Sequence, residues 1–565
     1  MSDPLKKFFP FDDYRTHQKE TIVKIAKAFR SGKENIILEA PTGTGKSIVG
    51  VTLANIFSSA FFITAQKILQ QQYLNDFPNM VDLKGRNAYP CWFMMEHMAA
   101  KKYHGCDRGQ CTKRNKSFLK LCIEGNRCKY ANQLELASGS NQVLFNFSSF
   151  LFQREMANRF LDEKKLMIID EAHGIEQQIM NFVEVTISEQ DIDEKLPKYD
   201  KVEDYLKFFK SISLATKLSE KINELRGDLQ NLTGKPVAES AENTTKFAAG
   251  GTSVIDLDEI YLGDDKDACE DQELANSILK DINNSKSTLS KYNYLVEYAS
   301  NVKCICEYSS KDKSVCIKPL YATYHTPRLL LKGAKNRLLM SATILNPKVF
   351  GESIGLDMSK TQYISVPHTF PRENRLIHLD YAGPMDYKSR SKTMPKMIQK
   401  IDKLMTKHAT EKGIIHCQSF KLMKDISEGI SAKNRGRLLD QKQFNNNKDD
   451  LLQAHSVSSN TVIIAPAMHE GLDLKNNLSR FQLICKIPYP DSREDKQLKI
   501  RTDENWGYYL WLTALKLVQS TGRSVRSETD YASTYILDAS FDKFFNMADK
   551  ENLLPDWFVE SLVVG

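Results

Sequence analysis

The stretch Ala40-Pro41-Thr42-Gly43-Thr44-Gly45-Lys46-Ser47 constrains this chain more than any other. An apolar run, Asn35-Ile36-Ile37-Leu38-Glu39, precedes it, and Ile48-Val49-Gly50-Val51-Thr52-Leu53-Ala54 follows with a pattern that continues as a helix. A strand, a tight glycine turn and a helix N-terminus in that order make a phosphate cradle, because backbone N–H groups converge there and the helix dipole adds partial positive charge. Lys46 is placed to reach the outer phosphates of a nucleotide, and the Ser47 hydroxyl to ligate Mg²⁺. The strict pattern opens on glycine where this chain has Ala40, but Gly43 and Gly45 stand where the loop bends most. The alternative is an ordinary glycine turn with a solvated lysine, so partners elsewhere in the chain must decide.

Leu166-Met167-Ile168-Ile169-Asp170-Glu171-Ala172-His173 is such a partner. Four apolar residues followed by two carboxylates predict a buried strand that delivers acids to a sheet edge. Asp170 would hold Mg²⁺, and Glu171 would polarise the water that attacks the γ-phosphate. Other apolar strand patterns lie at Ala60–Gln66, Val143–Phe147 and Arg337–Thr343, with helical spacing between them. A second series follows Pro371-Arg372-Glu373-Asn374-Arg375, with strands at Gly413–Cys417, Thr461–Ala465 and Phe481–Cys485. This alternation predicts parallel α/β sheets, whose ligands gather at the strand C-terminal ends. Upstream, Arg15 and Gln18 lead into an amphipathic helix through about Phe29 and would fall near a nucleotide base. Near the end, Gln519-Ser520-Thr521-Gly522-Arg523-Ser524-Val525-Arg526 puts two arginines three apart on one predicted helix face. They suit transition-state charge stabilisation across a domain cleft.

At 565 residues the chain has room for several domains. Its net charge of +7 hides an asymmetry: residues 84–130 carry eleven Lys/Arg against three Asp/Glu, while residues 181–317 carry 17 against 26. The N-terminus lacks a basic-then-apolar leader pattern, and no apolar run is long enough to span a bilayer, which predicts an intracellular protein with no membrane partner. Its eleven cysteines are then a poor disulfide framework. Five of them, Cys91, Cys106, Cys111, Cys122 and Cys128, fall within the basic segment, with 14, 4, 10 and 5 residues between successive members. That density predicts a metal-bound subdomain, and spacing leaves Zn²⁺ and an iron–sulfur cluster both open. Its aromatics Tyr89, Trp92, Phe93 and Tyr103 suit either base stacking or a small core around the metal. The acidic segment is charged and mostly helical, with a polar stretch at Gly234–Ser253 that predicts a loop and with Cys304, Cys306 and Cys316 as structural cysteines. The α/β pattern resumes at Lys318-Pro319-Leu320.

Together these residues resemble the superfamily 2 DNA helicases of the XPD/DinG group over nearly the whole chain. Ala40–Ser47 resembles motif I, and Asp170–His173 motif II in its DEAH form. Met340–Thr343 resembles motif III, Gly413–Ser419 motif IV, Ala465–Leu474 motif V and Gln519–Arg526 motif VI. The resemblance implies two RecA-like parallel-sheet motor domains interrupted by an iron–sulfur insertion and a helical arch. The implied plan is motor domain 1 at 1–83, 131–180 and 318–365, a cysteine-rich domain at 84–130, an arch at 181–317 and motor domain 2 at 366–565. It implies Cys91, Cys111, Cys122 and Cys128 as ligands of a [4Fe-4S] cluster, with Cys106 as the alternative to Cys111. It implies ATP and Mg²⁺ held by Gly43, Thr44, Gly45, Lys46, Ser47 and Asp170, with Arg15, Gln18 and Asp473 also lining the nucleotide. Lys46, Glu171, Gln519, Arg523 and Arg526 would be catalytic.

The expected activity is ATP-driven 5′→3′ translocation on single-stranded DNA with duplex unwinding, by a monomer acting on single-stranded and forked DNA. Two competing expectations remain. One is a translocase or remodeller that does not unwind, or that acts on RNA. The other is a zinc-bound nucleic-acid-binding protein whose nucleotide site is a switch.

Overall fold

A computed structural model describes residues 3–91, 106, 127–157, 163–233, 266–445, 447–466, 474, 476–493, 495–525 and 527–564. The expected loop at Gly234–Ser253 lies outside them, as do Trp92, Phe93 and Tyr103.

After helix α1 (Gln18–Arg30), the first half alternates β1 (Asn35–Glu39), α2 (Lys46–Phe57), β2 (Ala60–Thr64), α3 (Lys67–Asp76), β3 (Val81–Asp82), β4 (Gln142–Asn146) and β5 (Lys164–Asp170). After β5 come α4 (Ile175–Val183), β6 (Val185–Ser188), α5 (Leu214–Thr233), α6 (Lys266–Tyr298), β7 (Cys304–Ser309) and β8 (Ser314–Pro319). β9 (Ala334–Ser341) and β10 (Thr361–Ser365) then return to the first sheet. Its order is β10-β1-β9-β5-β2-β4-β3, and every pairing is parallel. The apolar runs of β1 and β2 are buried throughout, as strands covered on both faces must be.

The second half supplies β11 (Ile377–Gly383), β12 (Gly413–His416), β13 (Leu438–Leu439), β14 (Val462–Ala465), β15 (Phe481–Ile484), helix α7 (Trp506–Thr521), β16 (Ser533–Asp538) and β17 (Leu562–Val564). These strands form another parallel sheet in the order β13-β14-β12-β15-β16-β11-β17. The expected two-sheet α/β architecture is therefore present.

The segment after β5 differs in one respect from its helical expectation. α5 and α6 do pack on each other through Ile222, Leu229 and Ile282. Beneath them, however, β6, β8 and β7 form an antiparallel three-stranded sheet. Lys318 and Pro319, expected to restart the α/β series, instead end β8. Cys304, Cys306 and Cys316 stand on β7 and β8.

One core joins the two halves. Residues of the first sheet such as Ile37 and Phe61 share a continuous apolar cluster with Ile377, Ile484, Trp511 and Ala514 of the second half. Helix α7 is the connector. The indole Nε1–H of buried Trp511 donates to the Ile344 carbonyl at 2.8 Å, and Tyr508 O–H donates to Glu176 Oε2 at 2.8 Å. Arg501 Nη2 lies 2.7 Å from Glu176 Oε1, with its guanidinium 3.9 Å from the Tyr508 ring centre. No helix among the described residues is long and apolar enough to cross a membrane.

Candidate functional site

Strand register assembles the site. β1 lies between β9 and β10, with Glu39 opposite Ser341, while Asp170 of β5 stands opposite Met340 of β9. The turns leaving β1, β9 and β5 therefore emerge side by side at the C-terminal edge of the sheet. They carry the Gly-Lys-Ser loop, Ser341-Ala342-Thr343 and Asp170-Glu171, segments more than a hundred residues apart in sequence.

The loop needs its glycines. Gly43 and Gly45 have φ of 85° and 78°, in the left-handed region where a Cβ is strained. A Cβ on Gly45 would also come within 2.1 Å of Gln18 Nε2. Arg15 and Gln18 reach this loop directly: Arg15 Nη1 donates to the Gly43 carbonyl at 2.8 Å and Gln18 Nε2 to the Thr44 carbonyl at 3.0 Å. Gln18 Oε1 accepts the Arg15 N–H at 2.8 Å, which ties the two braces together. Thr44 closes the turn on the Pro41 carbonyl at 2.7 Å. Lys46 begins α2, and its ammonium folds back on the Ala40 carbonyl at 3.0 Å.

Asp170 is buried at the end of β5. Its Oδ1 accepts the Glu171 N–H at 3.0 Å, and its Oδ2 accepts the Tyr73 phenol at 2.9 Å. Burial, with the neighbouring Glu171 charge, holds its carboxyl above the ordinary range, and Lys46 opposes that rise. Glu171 takes φ of 54°, a strained conformation for a non-glycine residue that sits at the turn out of β5. Burial pushes its carboxyl up as well. The His173 hydrogen bond and charge, with Lys46 and Arg523, outweigh burial and hold Glu171 well below its usual range. His173 Nδ1 is 3.4 Å from Glu171 Oε2 and 2.9 Å from Ser341 Oγ, so it touches both the acid and the turn out of β9.

The second half closes over this edge. A cleft between the halves is lined by Pro41, Thr42, Glu171, Thr343, Gln519 and Arg523. Gln519 is on the last turn of α7, but Arg523 is not on the helix. Gly522 caps α7 after Thr521, so Arg523 stands beyond the helix and reaches the cleft from the turn that follows. Arg526 and Asp473 lie outside the described residues. The cleft is also lined by His368, Arg375 and Trp557, which sequence reasoning did not assign to it. Burial and the Arg375 charge hold His368 down to about 4. A linker rich in cations between two parallel sheets was the available signal, since such a segment must pass the seam.

In the basic segment, Cys91, Cys106 and Cys128 are buried, and Cys111 and Cys122 lie outside the described residues. Cys106 Sγ is 3.9 Å from Cys128 Sγ. The Ala131 N–H points to Cys128 Sγ at 3.4 Å, and Arg86 Nη2 to Cys106 Sγ at 3.9 Å. Paired thiols supplied with N–H and guanidinium donors suit thiolate ligation. Among the described residues no group of three metal-ligating side chains occurs. Tyr89 packs on Tyr130 with ring centroids 5.6 Å apart, and Arg86 stands 5.0 Å from the Tyr130 ring, so the described part of this aromatic set serves as local core.

Known proteins resemble this chain in two ways. The family model described as "Type III restriction enzyme, res subunit" matches residues 12–216, and the model described as "Helicase C-terminal domain" matches residues 402–561. A solved structure titled "XPD_Helicase" superimposes with a TM-score of 0.61 at 18% identity, over 98% of this chain and 100% of that one. One titled "Structure of S. tokodaii Xpd4" gives 0.56 at 14% identity over 98% and 100%, and one titled "XPD_APO" gives 0.57 at 17% over 97% and 100%. No curated protein matches the sequence. A restriction-enzyme res-subunit model thus matches the first half and a helicase C-terminal model the second, and the chain has the fold of the XPD structures over almost its entire length.

Proposed function

We propose that this chain is a nucleoside-triphosphate-hydrolysing helicase of the XPD/DinG-like type that uses ATP, translocates 5′→3′ on single-stranded DNA and unwinds duplex and forked DNA. The observation that carries the reading is the shared cleft: the loop residues Pro41 and Thr42, the acid Glu171, and Gln519 and Arg523 of the second half all line it. In this reading Gly43, Thr44 and Gly45 offer backbone N–H groups to the phosphates. Lys46 leaves the Ala40 carbonyl for the outer phosphates. Arg15 and Gln18 fix the loop that carries them, and the base rests nearby. Glu171, held ionised at neutral pH, accepts a hydrogen bond from water and orients it for in-line attack. Arg523, with Arg526 and Gln519, balances charge that develops on the transferred phosphoryl group. Asp473 completes the lining from the second half. Ser47 and Asp170 are the residues that would hold Mg²⁺, which when bound neutralises charge between the outer phosphates. His173, touching both Glu171 and Ser341, carries the state of the acid to the turn after β9.

We assign residues 84–130 to a cysteine-rich domain that grips backbone phosphates with its excess of basic residues. Cys91 and Cys128 would ligate a [4Fe-4S] cluster with Cys122 and either Cys106 or Cys111, and the cluster when bound would clamp the segment. The approach of Cys106 to Cys128 favours Cys106 in that choice. Residues 181–317 would form the arch, and the other ranges the two motor domains.

Strand displacement on 5′-tailed and 3′-tailed DNA, with matched RNA substrates, tests the reading. Unwinding of the 5′-tailed DNA alone, lost in Lys46→Ala, supports it. RNA-only displacement, or hydrolysis indifferent to nucleic acid, overturns it.

A further inference from the structure

Helix α3 follows β2 and turns Tyr73 into the floor of the phosphate site. The residue is 2% exposed and packs between Phe62 and Phe77, with ring centroids 5.8 and 6.0 Å away. A phenylalanine would fill this core as well. A hydroxyl buried there is costly unless it finds partners. Its partner is the carboxylate that the nucleotide reading gives to the divalent cation. The phenol donates to Asp170 Oδ2 at 2.9 Å. Asp170 Oδ1 is held separately by the Glu171 N–H at 3.0 Å. Each carboxylate oxygen thus has one donor, which fixes the rotamer, and keeps a second lone pair for a cation.

Resting on the nucleotide-site reading, we propose that Tyr73 is a positioning residue of the divalent-cation site: its phenol holds the Asp170 carboxylate, so that a Mg²⁺ arriving with nucleotide meets that ligand already in place. Tyr73 touches neither phosphate nor water in this account and acts only through Asp170. Outer partners of ligating carboxylates commonly change metal affinity by about 10–100-fold when removed.

The test is Tyr73→Phe in the full chain, which keeps the ring contacts. Mn²⁺, visible by electron paramagnetic resonance, is titrated in saturating ADP. The Mn²⁺ Kd rises by about tenfold or more in the variant, while ADP affinity in EDTA stays unchanged. In hydrolysis assays the KM for Mg²⁺ rises and kcat recovers at high Mg²⁺. Tyr73→Met, a second apolar filler, shifts Mn²⁺ affinity in the same direction. Unchanged or tighter Mn²⁺ binding overturns the inference, as does a kcat lowered equally at every Mg²⁺ concentration, which is the mark of a packing role. If the unaltered chain itself binds no Mn²⁺ with ADP, the nucleotide-site reading falls and takes this inference with it. Normal binding there with no shift in Tyr73→Phe sinks the inference alone.

Discussion

Replacing Arg501 with methionine should loosen the seam between the two halves in a pH-dependent way. Arg501 is 7% exposed and its guanidinium pairs with Glu176, which leads α4 directly after the Asp-Glu-Ala-His turn. Methionine keeps much of the volume against Tyr508 and Tyr321 but leaves the carboxylate without its cation. Breaking a buried pair from one side costs about 3–5 kcal/mol. Burial already holds the Glu176 carboxyl above its ordinary 4.5, against the pull of Arg501 and Tyr508. A carboxyl raised on folding is most favourable to the fold below its unfolded value, and that advantage is lost as pH rises through the folded value. Removing Arg501 lifts the folded value further and extends the sensitive window upward. The penalty of Arg501→Met should therefore be larger at pH 8 than at pH 5.5.

A chain this size does not unfold in one step, so hydrogen exchange of the α7 and α4 amides, corrected for intrinsic rate, is the better assay. At pH 8 an effect of about 3 kcal/mol appears as exchange about two decades faster. Adding Glu176→Gln should recover most of it, because the unpaired charge is gone. Exchange within about threefold of the unaltered protein at pH 8 would refute the reasoning, the scale being set by the cost above. So would an equal loss in the double variant.

Three further outcomes bear on the site. Lys46→Ala should reduce hydrolysis by at least about a hundredfold if the ammonium serves transition-state charge, measured as steady-state phosphate release; near-normal turnover rejects the site. Gly45→Ala should weaken nucleotide binding by roughly 1–2 kcal/mol from the left-handed conformation alone. Shortening Gln18 to alanine alongside it should restore only the part due to the 2.1 Å approach of Gln18 Nε2, which calorimetry can separate. Cys106→Ser and Cys111→Ser, each assayed for iron, should differ: iron lost in the first and kept in the second follows from the 3.9 Å thiol pair, and the reverse result returns the ligand to Cys111.

What the sequence made legible was local. An apolar run ending in Asp170-Glu171, and another before Ala40–Ser47, are patterns that one strand carries by itself, and parallel pairing then leaves few ways to order the turns. Arg523 was misplaced although the signal stood beside it, since Gly522 is a helix stop. The small antiparallel sheet was also readable: Cys304–Ser309 and Ser314–Pro319 flank a Lys-Asp-Lys turn, and the second of them alternates buried with less buried positions over most of its length, but the charge of the surrounding helices dominated the reading. Pairs across long separations were not legible. Tyr73 and Asp170 are 97 residues apart, and Tyr508 and Glu176 are 332 apart. Nothing in either neighbourhood names its partner, and burial alone does not say where a phenol will turn.

Those long-range pairs change how the halves can work together. If α7 belonged only to the second half, Gln519 and Arg523 would swing freely away from the phosphate loop between cycles. Instead α7 is keyed to the first half near its start, through Trp511 on the Ile344 carbonyl and Tyr508 on Glu176, and it ends at the cleft. Carrying Arg523 far from Glu171 means either breaking a buried ion pair, at several kcal/mol, or bending the short segment after Thr521. The second route is cheaper, because Gly522 ends the helix and Arg523 already stands on a turn. The arrangement therefore favours small movements of the 522–525 turn over wide separation of the halves.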